Sequence, residues 1–166
     1  MNRVRSKWMW MLAAVVLVAL GGSCKTVTAE TVIHARPETV WRVLSDAEGF
    51  EAWNPVHVKI EGAFSEGEVI RIHVKDGDGK VSAFDSTIRS VVPEKELVQG
   101  GGVPCLLTFS HSFRLESVEG GTRVVQREEF RGIAVPFVDL GWVGPGYDAV
   151  NAALKQRSEE LERGGR

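Results

Sequence analysis

The run Leu106–Arg131, LLTFSHSFRLESVEGGTRVVQREEFR, decides the architecture of this chain. Leu107, Phe109, His111, Phe113 and Leu115 alternate with Thr108, Ser110, Ser112 and Arg114, the period of a strand that buries one face. Glu119-Gly120-Gly121 then signals a hairpin, and Val124, Gln126, Glu128 and Phe130 share one parity of the returning strand. An antiparallel pair with one mostly apolar face needs a partner layer to cover it.

Upstream, the same grammar repeats. Val69–Lys75 alternates Ile70, Ile72 and Val74 against Arg71, His73 and Lys75, and Asp76-Gly77-Asp78-Gly79 turns it into a returning strand over Lys80–Val92. On that strand Phe84, Ser86, Ile88 and Ser90 share one face. Val56–Ile60 is a shorter strand candidate, and Glu96–Gln99 is another that leads into a loop at Gly100-Gly101-Gly102. Before them, Thr31–Ala35 reads as a strand running into Pro37. Proline suits the first turn of a helix, and Val40, Trp41, Leu44 and Ala47 follow at helical spacing until Gly49. A short turn through Phe50 and Trp53 stops at Asn54-Pro55.

Downstream the period changes. After Gly144-Pro145-Gly146, the residues Tyr147, Val150, Leu154 and Leu161 recur at helical spacing, with Lys155, Gln156, Glu159, Glu160 and Glu162 on the wet side. The order is strand, two short helices, about six antiparallel strands and one long helix, an α+β layout with its helices on one side of a sheet. A strongly curved sheet gripping that last helix leaves a gap between them, where a ligand would sit.

The 166 residues suit one domain, and 43% hydrophobic with 25% charged residues is an ordinary globular composition. Arg3, Arg5, Lys7 and Lys25 lie in the first 29 residues with no acid among them, which leaves 16 basic against 22 acidic residues from Glu30 onward. A body that acidic is a poor partner for phosphate backbones, so nucleic acid is not an expected partner. The basic start and the uncharged run Trp8–Leu20 read as an export signal, so residues 1–29 are assigned to a signal peptide or membrane anchor and residues 30–166 to the domain. Three ends to that segment compete: cleavage after Val27-Thr28-Ala29, acylation at Cys24 after Gly21-Gly22-Ser23, or an uncleaved anchor. Each places the domain outside the cytoplasm, at the periplasm or cell envelope, and limits membrane association to the N-terminus.

Several chemistries are excluded by their missing motifs. His34, His57, His73 and His111 form no HxxxH pair, and there is no CxxC, GxGxxG, GxxxxGK[ST] or GxSxG, so neither a metal nor a nucleotide cofactor is expected. Cys105, flanked by Pro104 and Leu106, reads as a buried apolar thiol.

Ala35-Arg36-Pro37-Glu38-Thr39-Val40-Trp41-Arg42-Val43-Leu44-Ser45-Asp46, then Trp53-Asn54-Pro55, His111-Ser112-Phe113, Thr122 with Glu128-Glu129-Phe130-Arg131-Gly132, and Asn151-Ala152-Ala153-Leu154-Lys155 follow one another in an order that carries a resemblance. The chain resembles the SRPBCC superfamily, the START-related polyketide cyclase/dehydrase and lipid-transport domains, over nearly everything after the leader. The resemblance implies a helix-grip fold: a curved antiparallel sheet of six to seven strands around a long C-terminal helix, two short helices after the first strand, and a deep hydrophobic cavity. It also implies a small hydrophobic or amphipathic ligand, lipid or polyketide-like, with Trp53 and Asn54 at the cavity mouth. Fold alone does not choose an activity.

The residues add a candidate site. An imidazole at His111, an amide at Gln126 and a carboxylate at Glu128 converge on an otherwise apolar wall of Ile72, Phe84, Ile88, Phe109, Phe113 and Phe130, with Ser86, Tyr147 and Asn151 adding polar tips. Few polar groups in an oily wall suit orientation of a head group. The same Glu and His, with shifted pKa values, suit cofactor-independent proton transfer in a cyclase, aromatase or dehydratase, Glu128 as base and His111 as acid or electrophile. A hydrogen-bonded core histidine, Asn54 as a turn former, and a non-catalytic envelope protein that meets other proteins are the structural alternatives.

Overall fold

The computed structural model describes residues 23–164. Seven strands form one antiparallel sheet: β1 (Ser23–Ile33), β2 (His57–Glu61), β3 (Val69–Lys75), β4 (Val81–Val92), β5 (Glu96–Val103), β6 (Leu107–Val118) and β7 (Gly121–Gly132). Their spatial order is β1-β7-β6-β5-β4-β3-β2, so every neighbour except β1 is also the neighbour in sequence. The sheet curls into a half-barrel around helix α2 (Val143–Gly164), while α1 (Pro37–Leu44) and a 3-10 turn (Glu48–Ala52) fill the link from β1 to β2. This is the helix-grip fold.

Local chemistry explains the elements. Pro37 opens α1 from Arg36, whose backbone is extended, and Asp46 accepts the Gly49 N–H at 3.0 Å to start the 3-10 turn. Along α2, Tyr147, Val150, Asn151, Leu154 and Ser158 are buried, the stripe that the helical period marked out. Val150 and Leu154 enter the main core with Ile33, Val40, Leu44, Phe50, Ile70, Ile72, Ile88, Phe113 and Val124. A smaller cluster of Ala29, Val135, Leu140, Val143 and Tyr147 lies at the other end of α2. Away from that second cluster, Glu162 accepts from Arg36 Nε at 3.1 Å and from Thr39 Oγ1, which ties α1 to the last turns of α2.

Three expectations are corrected. The first strand begins at Ser23 and not at Thr31, and residues 23–29 pair with Gln126–Gly132, from Ser23↔Gly132 to Ala29↔Gln126. The domain boundary at Glu30 therefore cuts through a strand; the β-branched Thr26, Val27 and Thr28 suit that strand as well as they suit a leader's tail. The remainder of the assigned leader, including Trp8–Leu20, lies outside the described residues. Gly100–Gly102 continue β5 and form no loop, because a Cβ at Gly101 would sit 3.1 Å from the Phe109 ring and 2.8 Å from the Asp85 carbonyl; glycine admits the aromatic ring there. Cys105 is exposed, at φ 64° in the turn between β5 and β6, where no wall is left to bury it.

Candidate ligand cavity

Register builds the site. Val27, Glu128, His111, Gln99 and Ile88 form one row across β1, β7, β6, β5 and β4. One row along, Ala29, Gln126, Phe113 and Leu97 are aligned in the same way. Because side chains two apart share a face, Gln126 and Glu128 both point to the concave side of the sheet. His111 lies between them and Gln99.

His111 is fully enclosed and held at both ring nitrogens. The Gln99 side-chain amide lies 3.2 Å from Nδ1, and that of Gln126 lies 2.9 Å from Nε2. Both contacts are made by the glutamine Nε2 atoms, so a neutral imidazole, with one N–H and one bare nitrogen, accepts from one glutamine at the bare nitrogen, and the Oε1 of each glutamine has no partner among the described residues. Phe113 and Tyr147 pack on the ring with centroids 4.8 and 5.2 Å away, and His57 stands edge-on at 5.3 Å.

Burial sets the charge of this group. Desolvation pushes the His57 imidazole down to about 4, and desolvation together with nearby His57 holds His111 well below the ordinary imidazole range. The Glu128 carboxyl, 7% exposed and without an ion-pair partner among the described residues, is pushed up to about 8 by desolvation. At neutral pH the group therefore holds two neutral imidazoles and one neutral carboxylic acid. A protonated carboxyl can donate a hydrogen bond as well as accept one.

These side chains face a pocket of about 510 Å³ between the sheet and the start of α2. Its oily wall includes Ile72, Val74, Leu107, Phe109, Phe130 and Leu140. Phe84 and Phe109 meet edge to face at 5.2 Å, and the tip of the β3–β4 turn, at Gly77, approaches Trp142. Of the residues expected from the sequence, Ile72, Phe84, Phe109, His111, Glu128, Phe130 and Tyr147 line this pocket.

The others have different places. Asn54 accepts the Val56 and His57 N–H groups at 3.0 and 2.8 Å, so it shapes the turn that delivers His57 instead of standing at the mouth. Trp53 packs against Phe50 with tilted rings, centroids 4.9 Å apart, and lines a separate surface recess with Ala153 and Arg157. Phe113, Ser86 and Ile88 are packed in the interior beyond the pocket, Gln126 serves it only by holding His111, and Asn151 is buried in α2 with neither amide atom bonded. Sequence reasoning missed His57, Gln99, Trp142 and Leu140, which line the pocket. The alternation of β5 gave a weak signal for Gln99; nothing local marked the others.

The chain belongs to the family described as polyketide cyclase / dehydrase and lipid transport, whose profile matches residues 25–159. That match begins within β1, upstream of Glu30. No curated protein matches the sequence. Among solved structures, the chain is similar to a protein of Rhizobium leguminosarum (21% identity, TM-score 0.65, covering 84% of this chain and 97% of that one). It is similar also to protein CV1439 of Chromobacterium violaceum (16% identity, TM-score 0.67, 81% and 97% covered). A third similar structure is the di-domain ARO/CYC StfQ of the steffimycin biosynthetic pathway (12% identity, TM-score 0.68), where the match covers 86% of this chain and 53% of that one. At these identities the likeness concerns the fold.

Proposed function

We propose that this domain binds or carries a small hydrophobic or amphipathic molecule of the lipid or polyketide-like class, held between the sheet and α2. The observation that carries the reading is the pocket of about 510 Å³ with mostly apolar walls, one uncharged polar row at Glu128, His111 and Gln99, and the exposed Asp85, paired with Arg71, also on its lining. Burial of ligand hydrocarbon supplies the affinity, at roughly 25 cal/mol per Å² before entropic costs. Glu128, protonated below about pH 8, donates to a carbonyl or hydroxyl oxygen of the ligand and fixes its direction. An anionic head group would meet no cation in this wall.

Native mass spectrometry of the protein from its own host tests this reading. The expected result is a bound mass of that class, lost in Leu107→Trp, which fills the pocket from β6. A chain that is always empty, and takes up no apolar fluorescent probe, overturns it.

A second reading, a cofactor-independent cyclase or dehydratase, is favoured by one observation: Glu128 has no ion-pair partner among the described residues, and its pKa of about 8 lies near the operating range of an acid–base catalyst. His111 suits that reading less well than the sequence suggests, because both its nitrogens are engaged. His57, whose Nδ1 has no partner, is the better second group. Glu128→Gln with ligand still bound and turnover lost selects the enzyme.

We further propose that the domain is exported and that any processing falls upstream of Ser23 or at Cys24. The support is β1: a cut after Ala29 removes seven of its residues from their pairing with β7. Edman sequencing or intact mass of the mature chain tests this; an N-terminus at Glu30 sinks it.

A further inference from the structure

Loops are normally the polar part of a domain. Two loops here are not. Val103–Leu106, the end of β5 and its turn into β6, is one and Ile133–Val138, which follows β7, the other, and neither contains a charged residue. They are held side by side: the Ile133 N–H donates to the Cys105 carbonyl at 3.0 Å and the Ala134 N–H to the Leu106 carbonyl at 3.0 Å. Together they expose Phe137 (88%), Val103 (59%), Leu106 (48%) and Ile133 (46%). Val103 and Val138 also line the pocket, so the exposed patch runs without a break into the cavity mouth.

Register shows what reaches this pole. β1 starts at Ser23, paired with Gly132, the residue before Ile133. Whatever precedes Ser23 therefore joins the domain beside the apolar loops, and the sequence preceding it carries the uncharged run Trp8–Leu20. Lys25 on β1 and Arg131 on β7, the latter paired with Glu129, stand exposed one step behind the rim. Asp139, which follows Val138, is exposed and accepts the Gly141 N–H at 2.9 Å. On the Trp142 side of the mouth the β3–β4 turn carries Asp76 and Asp78, a lip that stays in water.

We infer that the paired loops Val103–Leu106 and Ile133–Val138 are a docking surface for a phospholipid bilayer, which they enter with Phe137 and Leu106 so that the cavity mouth faces the lipid. Isolated exposed apolar side chains are ordinary, but a contiguous apolar rim with the exposed Lys25 beside it has the composition of an interfacial anchor. A chain tethered through its N-terminus has this pole nearest the membrane, so the tether and the rim select one orientation. The docking itself rests on surface residues and does not require a particular ligand.

The test reads orientation in the full chain bound to vesicles of phosphatidylcholine and phosphatidylglycerol. Phe137→Trp places a reporter at the rim, and Glu119→Trp places one in the β6–β7 turn at the opposite pole; the native tryptophans are common to both. With vesicles, and after subtraction of the wild-type chain's emission in the same vesicles, the emission added by Phe137→Trp shifts to the blue and is quenched by lipids brominated on the acyl chain, whereas that added by Glu119→Trp does neither. Adding Leu106→Asp to Phe137→Trp lessens the quenching while the melting temperature, which checks folding, stays the same. Equal quenching at both poles overturns the inference. So does emission at position 137 that is already blue before lipid is added and indifferent to it, the result expected if a second copy or the chain's own N-terminal residues cover the rim. Native mass spectrometry for a cavity ligand is a separate measurement, so an empty pocket and an undocked rim are distinguishable failures.

Discussion

Glu128 and His57 pull the stability of the domain in opposite directions with pH. The Glu128 carboxyl is raised from its ordinary 4.5 to about 8, so its contribution is fully present below pH 4.5 and is lost as pH rises through 8. His57 is lowered from 6.5 to about 4 and His111 also lies low, so their contribution is present above 6.5 and is lost as pH falls. The part of stability that these three groups control is therefore greatest near pH 6.5. Glu128→Gln should remove the alkaline limb and raise stability above pH 8 by on the order of 5 kcal/mol, as read by urea unfolding across pH. At the same scale, Gln126→Leu leaves a ring nitrogen of His111 buried without a partner and should cost about 1–3 kcal/mol. Equal unfolding midpoints for Gln126→Leu and the wild type would show that the contact to His111 contributes nothing.

At the scale of elements, β1 matters most because it closes one edge of the sheet and contributes Ala29 to the cluster beneath the pocket. A chain that starts at Glu30 uncovers β7 from Gln126 to Gly132 and should melt lower and self-associate through that bare edge, whereas one that starts at Ser23 should not. Thermal melts and light scattering compare the two. The long helix makes a second prediction. Asn151 is buried on the face of α2 that meets the sheet, with both amide atoms unbonded, and Asn151→Leu should stabilise the domain by about 1–2 kcal/mol. A loss of stability would mean that the amide has a partner after all. Both elements also show what was legible. The stripe Tyr147, Val150 and Leu154 announced α2, but Ser23–Ala29 carried a leader's small residues and a strand's β-branched ones at once, and only pairing with β7 separates the two.

For the whole molecule, the pocket makes ligand binding and stability one quantity. A ligand at one hundred times its Kd should add about 2.7 kcal/mol to unfolding and raise the melting temperature, and Leu107→Trp should abolish that rise while leaving the empty protein folded. A melting temperature indifferent to every apolar probe would count against a cavity open to ligand. The interior is divided: Ile70, Phe113 and Leu154 pack together in the main core, and the pocket lies toward the Val143 end of α2. That division is why Ser86, Ile88 and Phe113, correctly placed on the concave face by alternation, pack in the core and do not line the pocket.

The sequence by itself determined the period of each element, the hairpins at the Gly turns, the strand parity that put His111 and Glu128 on one face, and the family. Those are local properties, written in neighbours along the chain. Only the tertiary structure decided that two glutamines occupy both nitrogens of His111, that His57 joins the wall from a distant strand, and that the apolar loops meet at the cavity mouth. The physical reason is register and curvature: which residue faces which across a bent sheet depends on turns and pairings far along the chain, and no stretch of sequence contains them alone.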